Sequence, residues 1–398
     1  GENLSFQIET QALISNLGPI ISAIIISEVD IPSFVDVDGD QDIDVLTFKQ
    51  SGGYVEYHQN QSQELYGNCD SLVFELKTDC WGEFFEGLNT YEFNSCNEDA
   101  LVEQVETRSF GAHSGSSSLT LDMDGDNDMD FILGDVSFNN LNLLINGGDS
   151  QDASMVSVNQ NFPIGNGSVI SAEINSFPAA FYLDVNNDNI KDLVVSPNIE
   201  NNSENFESII VFLNTAQDNS PNFEFSQRDF LQDNTLDFGS GAYPTVIDYN
   251  KDGLKDLLIG NYGYFNNSNS ISQLALLRNI GSPTEPNFEV IDRDFGGLST
   301  IALDTILNET VKGIFPALAD LDNDGDVDMI VGDNNGKLHY FKNNADVGQN
   351  AVFELENVNF FNIDIGQHSA PYLYDMNDDN LFDLIIGQVD GTITYAEN

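Results

Sequence analysis

Short, mostly apolar runs recur along the chain, each directly behind a cluster of acidic residues. "VLTF", "FILG", "LVVS", "LLIG", "MIVG" and "LIIG" begin at residues 45, 131, 193, 257, 329 and 384. Continuous runs this short, bounded by turn residues, predict strands covered on both faces. A Gly- or Asn-rich turn and a further strand follow, as in "GKLHYFKN" and "GTITYAEN". Ahead of several runs stands an apolar strand containing proline: "IPSFVD", "FPAAFYLD", "YPTVID", "FPALAD" and "APYLYD". An alternating stretch then closes most repeats: "LVFELKT", "SMVSVNQNF", "NFEFSQRDF", "NFEVIDRDF" and "VFELENVNF". No helical period competes with this order, so the chain is expected to be all-β.

The acidic clusters obey one rule. Position 1 is Asp36, Asp122, Asp184, Asp248, Asp320 or Asp375. Position 3 is Asp38, Asp124, Asn186, Asn250, Asp322 or Asn377, and position 5 is Asp40, Asp126, Asp188, Asp252, Asp324 or Asp379. Position 7 is Asp42, Asp128, Ile190, Leu254, Asp326 or Leu381, and position 9 is Asp44, Asp130, Asp192, Asp256, Asp328 or Asp383. Oxygens at alternate positions of a tight loop suit a hard cation, since calcium takes six to eight oxygen ligands at about 2.3–2.6 Å. Ile190, Leu254 and Leu381 have no side-chain oxygen, so position 7 is expected to offer its main-chain carbonyl, and the position-9 Asp to close the cage. Position 6 is Gln41, Asn127, Asn189, Gly253, Gly325 or Asn380, mostly residue types that tolerate a left-handed backbone. An EF-hand would need Glu at position 12 and flanking helices. That position holds Thr47, Leu133, Val195, Ile259, Val331 and Ile386, so the EF-hand is excluded.

Six loops and five closing strands leave one repeat incomplete at Asn398. The first residues, "ENLSFQIET", match the missing strand in length and alternation and are expected to pair into the last sheet. Four-stranded sheets repeated around an axis, closed by the N-terminal strand, make a β-propeller, and closure protects edges that an open array exposes. The expected fold is therefore one propeller domain over residues 1–398 with six four-stranded blades and an insertion at about 80–112. A parallel β-helix needs far shorter repeats.

Asp-x-Asp-x-Asp-x-x-x-Asp followed by an apolar strand and Gly resembles the FG-GAP/VCBS repeat, which builds the calcium-bearing propeller of integrin α-subunits and of many secreted bacterial proteins. The resemblance implies up to six calcium ions, each in the loop joining the first two strands of a blade, all on one face of the disc. Integrin-type propellers have seven blades, so a seventh without its motif between Asp36 and Asp122 is the alternative to six. Loops three, four and six carry Asn at position 3, which predicts weaker binding there. Lys191, Lys251 and Lys255 fall in loops three and four, which are expected to fill last.

Composition sharpens this picture. Against 12 Lys and Arg the 398 residues hold 66 Asp and Glu, a formal net charge of −54. That argues against nucleic acid and anionic membrane surfaces as partners. Such charge usually accompanies disorder, but 11 % aromatic residues in regular apolar runs argue against it. Six calcium ions would leave about −42, and a face of ion-free carboxylates would repel itself, so metal binding and stability should be coupled. Millimolar calcium points to an extracytoplasmic site: periplasmic, outer-membrane associated or secreted. No apolar run reaches the roughly 18 residues of a membrane helix, and no signal peptide is visible. Of Cys69, Cys80 and Cys96, the last two make the better pair, because an extended strand holds Cys69 and Cys80 too far apart; three free thiols is the alternative.

No nucleophile elbow, phosphate-cradling loop or zinc spacing appears. His113 and His368 precede first strands at similar places, which suggests structural roles. The expected function is a calcium-stabilised, non-catalytic interaction protein of the bacterial cell surface or envelope. It would bind a protein partner, docked on a larger outer-membrane or secretion assembly. The insertion "CWGEFFEGLNTYEFNSC", with Trp81, Phe84, Phe85, Tyr91 and Phe93, is the candidate interface if exposed; the alternative is that these aromatics pack beneath the sheets. Alternatives are a carbohydrate-binding module and a polysaccharide lyase or hydrolase, which some secreted propellers resemble.

Overall fold

The computed structural model describes residues 8, 10–50, 52–69, 71–96, 115–199, 203–233, 235–266, 269–304, 306–346 and 348–398. The chain is all-β, made of small antiparallel sheets, and forms two compact units. One unit comprises residues 1–203 and 207–234, the other 204–206 and 235–398.

The first unit holds three large sheets and one two-stranded hairpin in the insertion. Ser33–Val35, Asp44–Phe48, Val55–Asn60 and Phe74–Thr78 form an antiparallel meander. A hairpin of Ile14–Asn16 and Ile21–Ala23 widens it to six strands, Ile14–Asn16 running parallel to Phe74–Thr78. The second sheet is Ser116–Leu121, Asp130–Asp135, Leu141–Asn146 and Met155–Asn159. The third is Pro178–Leu183, Asp192–Pro197, Ile210–Asn214 and Phe223–Gln227.

The second unit repeats the plan. Its large sheets are Tyr243–Ile247, Asp256–Gly260, Leu274–Asn279 and Phe288–Asp292, then Phe315–Ala319, Asp328–Gly332, Leu338–Asn343 and Phe353–Asn357, with a short hairpin of Tyr264–Asn266 and Asn269–Ile271 between the second and third strands of the first. The last has three strands, Ala370–Tyr374, Asp383–Gly387 and Ile393–Ala396. "ENLSFQIET", expected to complete it, lies largely outside the described residues. In the five complete meanders a register shift bends the closing strand. Among the described residues between Asp36 and Asp122 no further four-stranded sheet appears.

Within each unit the apolar second strands are buried because successive sheets pack face to face. Ile132, Leu143, Leu193, Val195 and Phe212 share one core between the second and third sheets. Leu258, Leu276, Met329 and Phe341 share another between the fourth and fifth, and Ile330, Leu338, Leu384 and Ile386 a third between the fifth and sixth. Full burial of each such side chain contributes about 1.5–3 kcal/mol. The Gly behind the apolar run has a steric cause. A Cβ on Gly134, Gly260 or Gly332 would stand 1.9, 2.0 or 1.8 Å from the main-chain oxygen of Pro178, Ile314 or Ser369, where the next sheet begins.

The described part of the insertion packs largely as core. Cys80 and Cys96 form a disulfide and Cys69 is free. Phe84–Glu86 pairs with Tyr91–Phe93. Trp81 and Phe84 are 3 % and 0 % exposed and pack on Phe131 of the second sheet. Of the two readings of the insertion, exposed interface or packed aromatics, Trp81 and Phe84 follow the second: they cover the apolar flank between the first two sheets. Residues 97–112 of the expected insertion, and His113, lie outside the described residues.

Candidate metal centres

The six acidic loops share one hydrogen-bonded frame. Positions 4 and 6 are both left-handed in every loop. Position 4 is Gly39, Gly125, Asn187, Lys251, Asn323 or Asp378, with φ from 59° to 86°. Position 6 shows φ from 67° to 91°. Such alternation turns successive N–H groups inward and makes a concavity for an anion. The position-1 carboxylate fills it, accepting the position-6 N–H at 2.9–3.1 Å in all six loops. The position-5 carboxylate accepts the position-7 N–H at 2.8–3.1 Å, again in all six.

The position-9 aspartates are 0 % exposed. Each accepts two main-chain N–H groups. One comes from position 2: Val37, Met123, Val185, Tyr249, Leu321 or Met376. The other comes from an Asn at the end of the third strand or just beyond it: Asn60, Asn146, Asn214, Asn279, Asn343 or Asn398, at 2.7–3.0 Å. The first five of these Asn side chains also accept two N–H groups from the next turn, as Asn146 Oδ1 does from Gly148 and Ser154. Loop, third strand and turn are thus locked through one Asp–Asn pair in each of the first five repeats, and loop and third strand in the sixth. Sequence reasoning missed these asparagines, although "YHQN", "LLIN", "VFLN", "LLRN", "YFKN" and "YAEN" carry the signal. Tyr57, Tyr340 and Tyr395 add a hydroxyl donor to Asp44, Asp328 and Asp383.

These bonds leave acceptor capacity, because a carboxylate offers about four lone-pair sites. Asp38 Oδ1, Asp40 Oδ2, Asp42 Oδ1, Asp128 Oδ1, Asp248 Oδ1 and Asp320 Oδ1 are buried and no donor reaches them. A buried, unpaired carboxylate oxygen is costly, and a cation removes that cost. Three carboxylates, each with an oxygen within 4.8 Å of the others, converge in loop one (Asp36, Asp38, Asp40), loop two (Asp122, Asp124, Asp130) and loop five (Asp320, Asp322, Asp324). The donor set fits a hard divalent cation of the calcium class. Ile190, Leu254 and Leu381 can add only a main-chain carbonyl.

The Asn loops are relaxed differently. Asn186, Asn250 and Asn377 donate their amides to the position-5 carboxylates of Asp188, Asp252 and Asp379 at 2.8–3.0 Å. An internal bond there replaces what is a repulsion between carboxylates in loops one and two. Loop five is relaxed by lysine: Lys342 bonds Asp322 and lies 3.7 Å from Asp324, while Lys251 reaches Asp326 at 2.8 Å. Lys251 belongs to loop four by sequence and to loop five by contact. Lys191 lies over the Tyr182 ring.

Loops one and two keep uncompensated charge. Burial pushes the carboxyls of Asp44 and Asp130 up to about 7 despite their N–H donors. Burial, with neighbouring carboxylates, raises Asp42 to about 6 and Asp128 to about 7. Asp322 moves the other way because Lys342 bonds it. The described histidines pack: buried His339 faces buried Asp333 at 3.3 Å, His58 meets Ser15 at 2.9 Å, and His368 stacks on Tyr262.

No family pattern and no curated protein sequence matches the chain. Among solved structures it is similar to the Photorhabdus luminescens Tc holotoxin pore, at 15 % identity and TM-score 0.23, covering 92 % of this chain and 14 % of that one. It is also similar to a Bacillus licheniformis rhamnogalacturonan lyase, at 10 % identity and TM-score 0.23 over 92 % and 71 % of the two chains. BBS1N, in its complex with ARL6DN, is a third, at 10 % identity and TM-score 0.18 over 70 % and 78 %. The chain spans one-seventh of the toxin chain's length, and likenesses at these TM-scores carry no argument about function.

Proposed function

We propose that the chain is a calcium-stabilised β-propeller of the FG-GAP/VCBS type, serving as a non-catalytic interaction module outside the cytoplasm. The observation that carries this reading is the common frame of the six loops, with buried carboxylate oxygens that no protein donor reaches. Those carboxylates are engaged in folding their own loops, which favours a scaffold over a catalyst. Ring closure by "ENLSFQIET" on the Ile393–Ala396 edge is part of the proposal. An apolar cavity of about 400 Å³, lined by Leu321, Phe360, Phe382, Leu384 and Ala396, stands beside that strand and supports it. The Cys80–Cys96 disulfide supports an oxidising compartment. The proposed partner is a protein of the cell surface or envelope.

A loop saturated a hundredfold above its Kd adds ~2.7 kcal/mol to stability. Thermal melting in millimolar calcium against EDTA therefore tests the scaffold, and a melting temperature equal in both defeats it. Capture of envelope proteins on the immobilised chain tests the interaction: a specific protein retained in calcium and released by EDTA is expected. Retention of glycans alone would favour the carbohydrate-binding alternative.

A further inference from the structure

Loop one differs from the other five in what stands beside it. Its position-7 side chain, Asp42, is 1 % exposed. Gln63 N–H fixes Asp42 Oδ2 at 3.0 Å, while Oδ1 is buried with no donor in reach. Asp40 Oδ2 is buried and unpartnered in the same way. The short helix Ser62–Tyr66, which follows the third strand, supplies Glu64. Asp40, Asp42 and Glu64 each bring an oxygen to within 4.8 Å of the other two. Gln59 orients the group, donating from Nε2 to Glu64 at 2.8 Å and also to Asp38. This set is separate from that of Asp36, Asp38 and Asp40; Asp40 alone belongs to both.

From this geometry we infer that loop one holds two calcium ions. The first lies among Asp36, Asp38 and Asp40, and the second among Asp40, Asp42 and Glu64, with the Asp40 carboxylate bridging them. The inference rests on the proposed calcium-loop reading and extends it to a ligand, Glu64, that lies outside the repeated motif. Oxygen-only donors select a hard cation. Five carboxylates against two dications leave the site close to neutral, and the shared carboxylate lies where repulsion between the ions is greatest. The arrangement is peculiar to loop one. Asp326 is taken by Lys251, and among the described residues no third carboxylate groups with Asp128.

Native mass spectrometry of the full chain at graded free calcium tests this. Glu64 is exposed, so Glu64→Gln leaves the fold intact, and Asp42→Asn removes the buried ligand with little change of volume. Each variant is expected to hold one calcium fewer than the parent at saturation, or to need at least tenfold more calcium to fill the last site. Glu75→Gln, an acidic neighbour in the same groove, should leave the count unchanged. A parent that binds no calcium defeats the loop reading itself. A parent that binds calcium with an unchanged count and affinity in Glu64→Gln, or with an equal loss in Glu75→Gln, overturns the second ion alone.

Discussion

The position-9 aspartate ties the loop to the third strand, so replacing it should destabilise the protein even without metal. Asp256 is the cleanest case. It is fully buried, and its two oxygens accept Tyr249 N–H at 2.9 Å and Asn279 N–H at 2.7 Å. In Asp256→Asn one oxygen becomes an NH₂ group facing a main-chain N–H. One charge-assisted bond, worth about 1.5–3 kcal/mol, is lost, and a buried N–H is left unpaired at about 1–3 kcal/mol. The surviving bond weakens to a neutral one, roughly half as strong. The total is ~3–7 kcal/mol. Urea unfolding in EDTA, followed by far-UV circular dichroism, measures the tie without the ion. A loss below about 1 kcal/mol in EDTA, with a large loss appearing only in calcium, would show that Asp256 acts solely as a metal ligand and refute the tie.

Three further outcomes are expected. Asp44, Asp128 and Asp130 hold their protons to about pH 7, and Asp42 to about 6, through burial, against about 3.9 in the unfolded chain. Between about pH 4 and 7 the folded, calcium-free protein thus binds more protons than the unfolded one, and its stability falls as pH rises. Its melting temperature in EDTA should be higher at pH 5.5 than at 7.5. Calcium needs the deprotonated forms, so its stabilising effect should shrink over the same descent; a calcium-free protein less stable at 5.5 contradicts the assignment. Gly332→Ala places a Cβ 1.8 Å from Ser369 O and should cost about 3 kcal/mol or more in urea unfolding, as overpacking against main chain does. Gly387→Ala, whose nearest neighbour is 3.9 Å away, should change stability by less than about 0.5 kcal/mol. Asn146→Ala removes acceptors for Gly148 and Ser154 N–H and a donor to Met129 O, and should cost ~2–4 kcal/mol with calcium affinity nearly unchanged.

Much of this architecture is legible in the residues. The apolar runs behind each loop fall on second strands, the proline-bearing stretches on first strands, and the alternating stretches on closing strands. Period and turn chemistry decide those elements locally. Cys80 and Cys96 pair as chain geometry suggests. What was not legible depends on contacts distant in sequence. The Ile14–Asn16 hairpin is too short to have a period, and it pairs with residues some 60 positions away. The left-handed position 4 is hidden because Gly, Asn, Lys and Asp all occupy it, the nest around the position-1 carboxylate overriding residue preference. For Trp81 and Phe84 the residues leave exposed patch and packed core both open, and only the second sheet placed against them decides for core. Lys251 reads as a burden on loop four, yet its side chain reaches loop five. Glu64 carries no motif, and only the helix beside loop one gives it a place.

Crystals grown in millimolar calcium, with an anomalous difference map, would locate the ions in the acidic loops. Peaks are expected among the carboxylates of Asp36, Asp38 and Asp40, of Asp122, Asp124 and Asp130, and of Asp320, Asp322 and Asp324, at about 2.3–2.6 Å from their oxygens. Well-ordered loops with no peak at any of these clusters would overturn the calcium-loop reading.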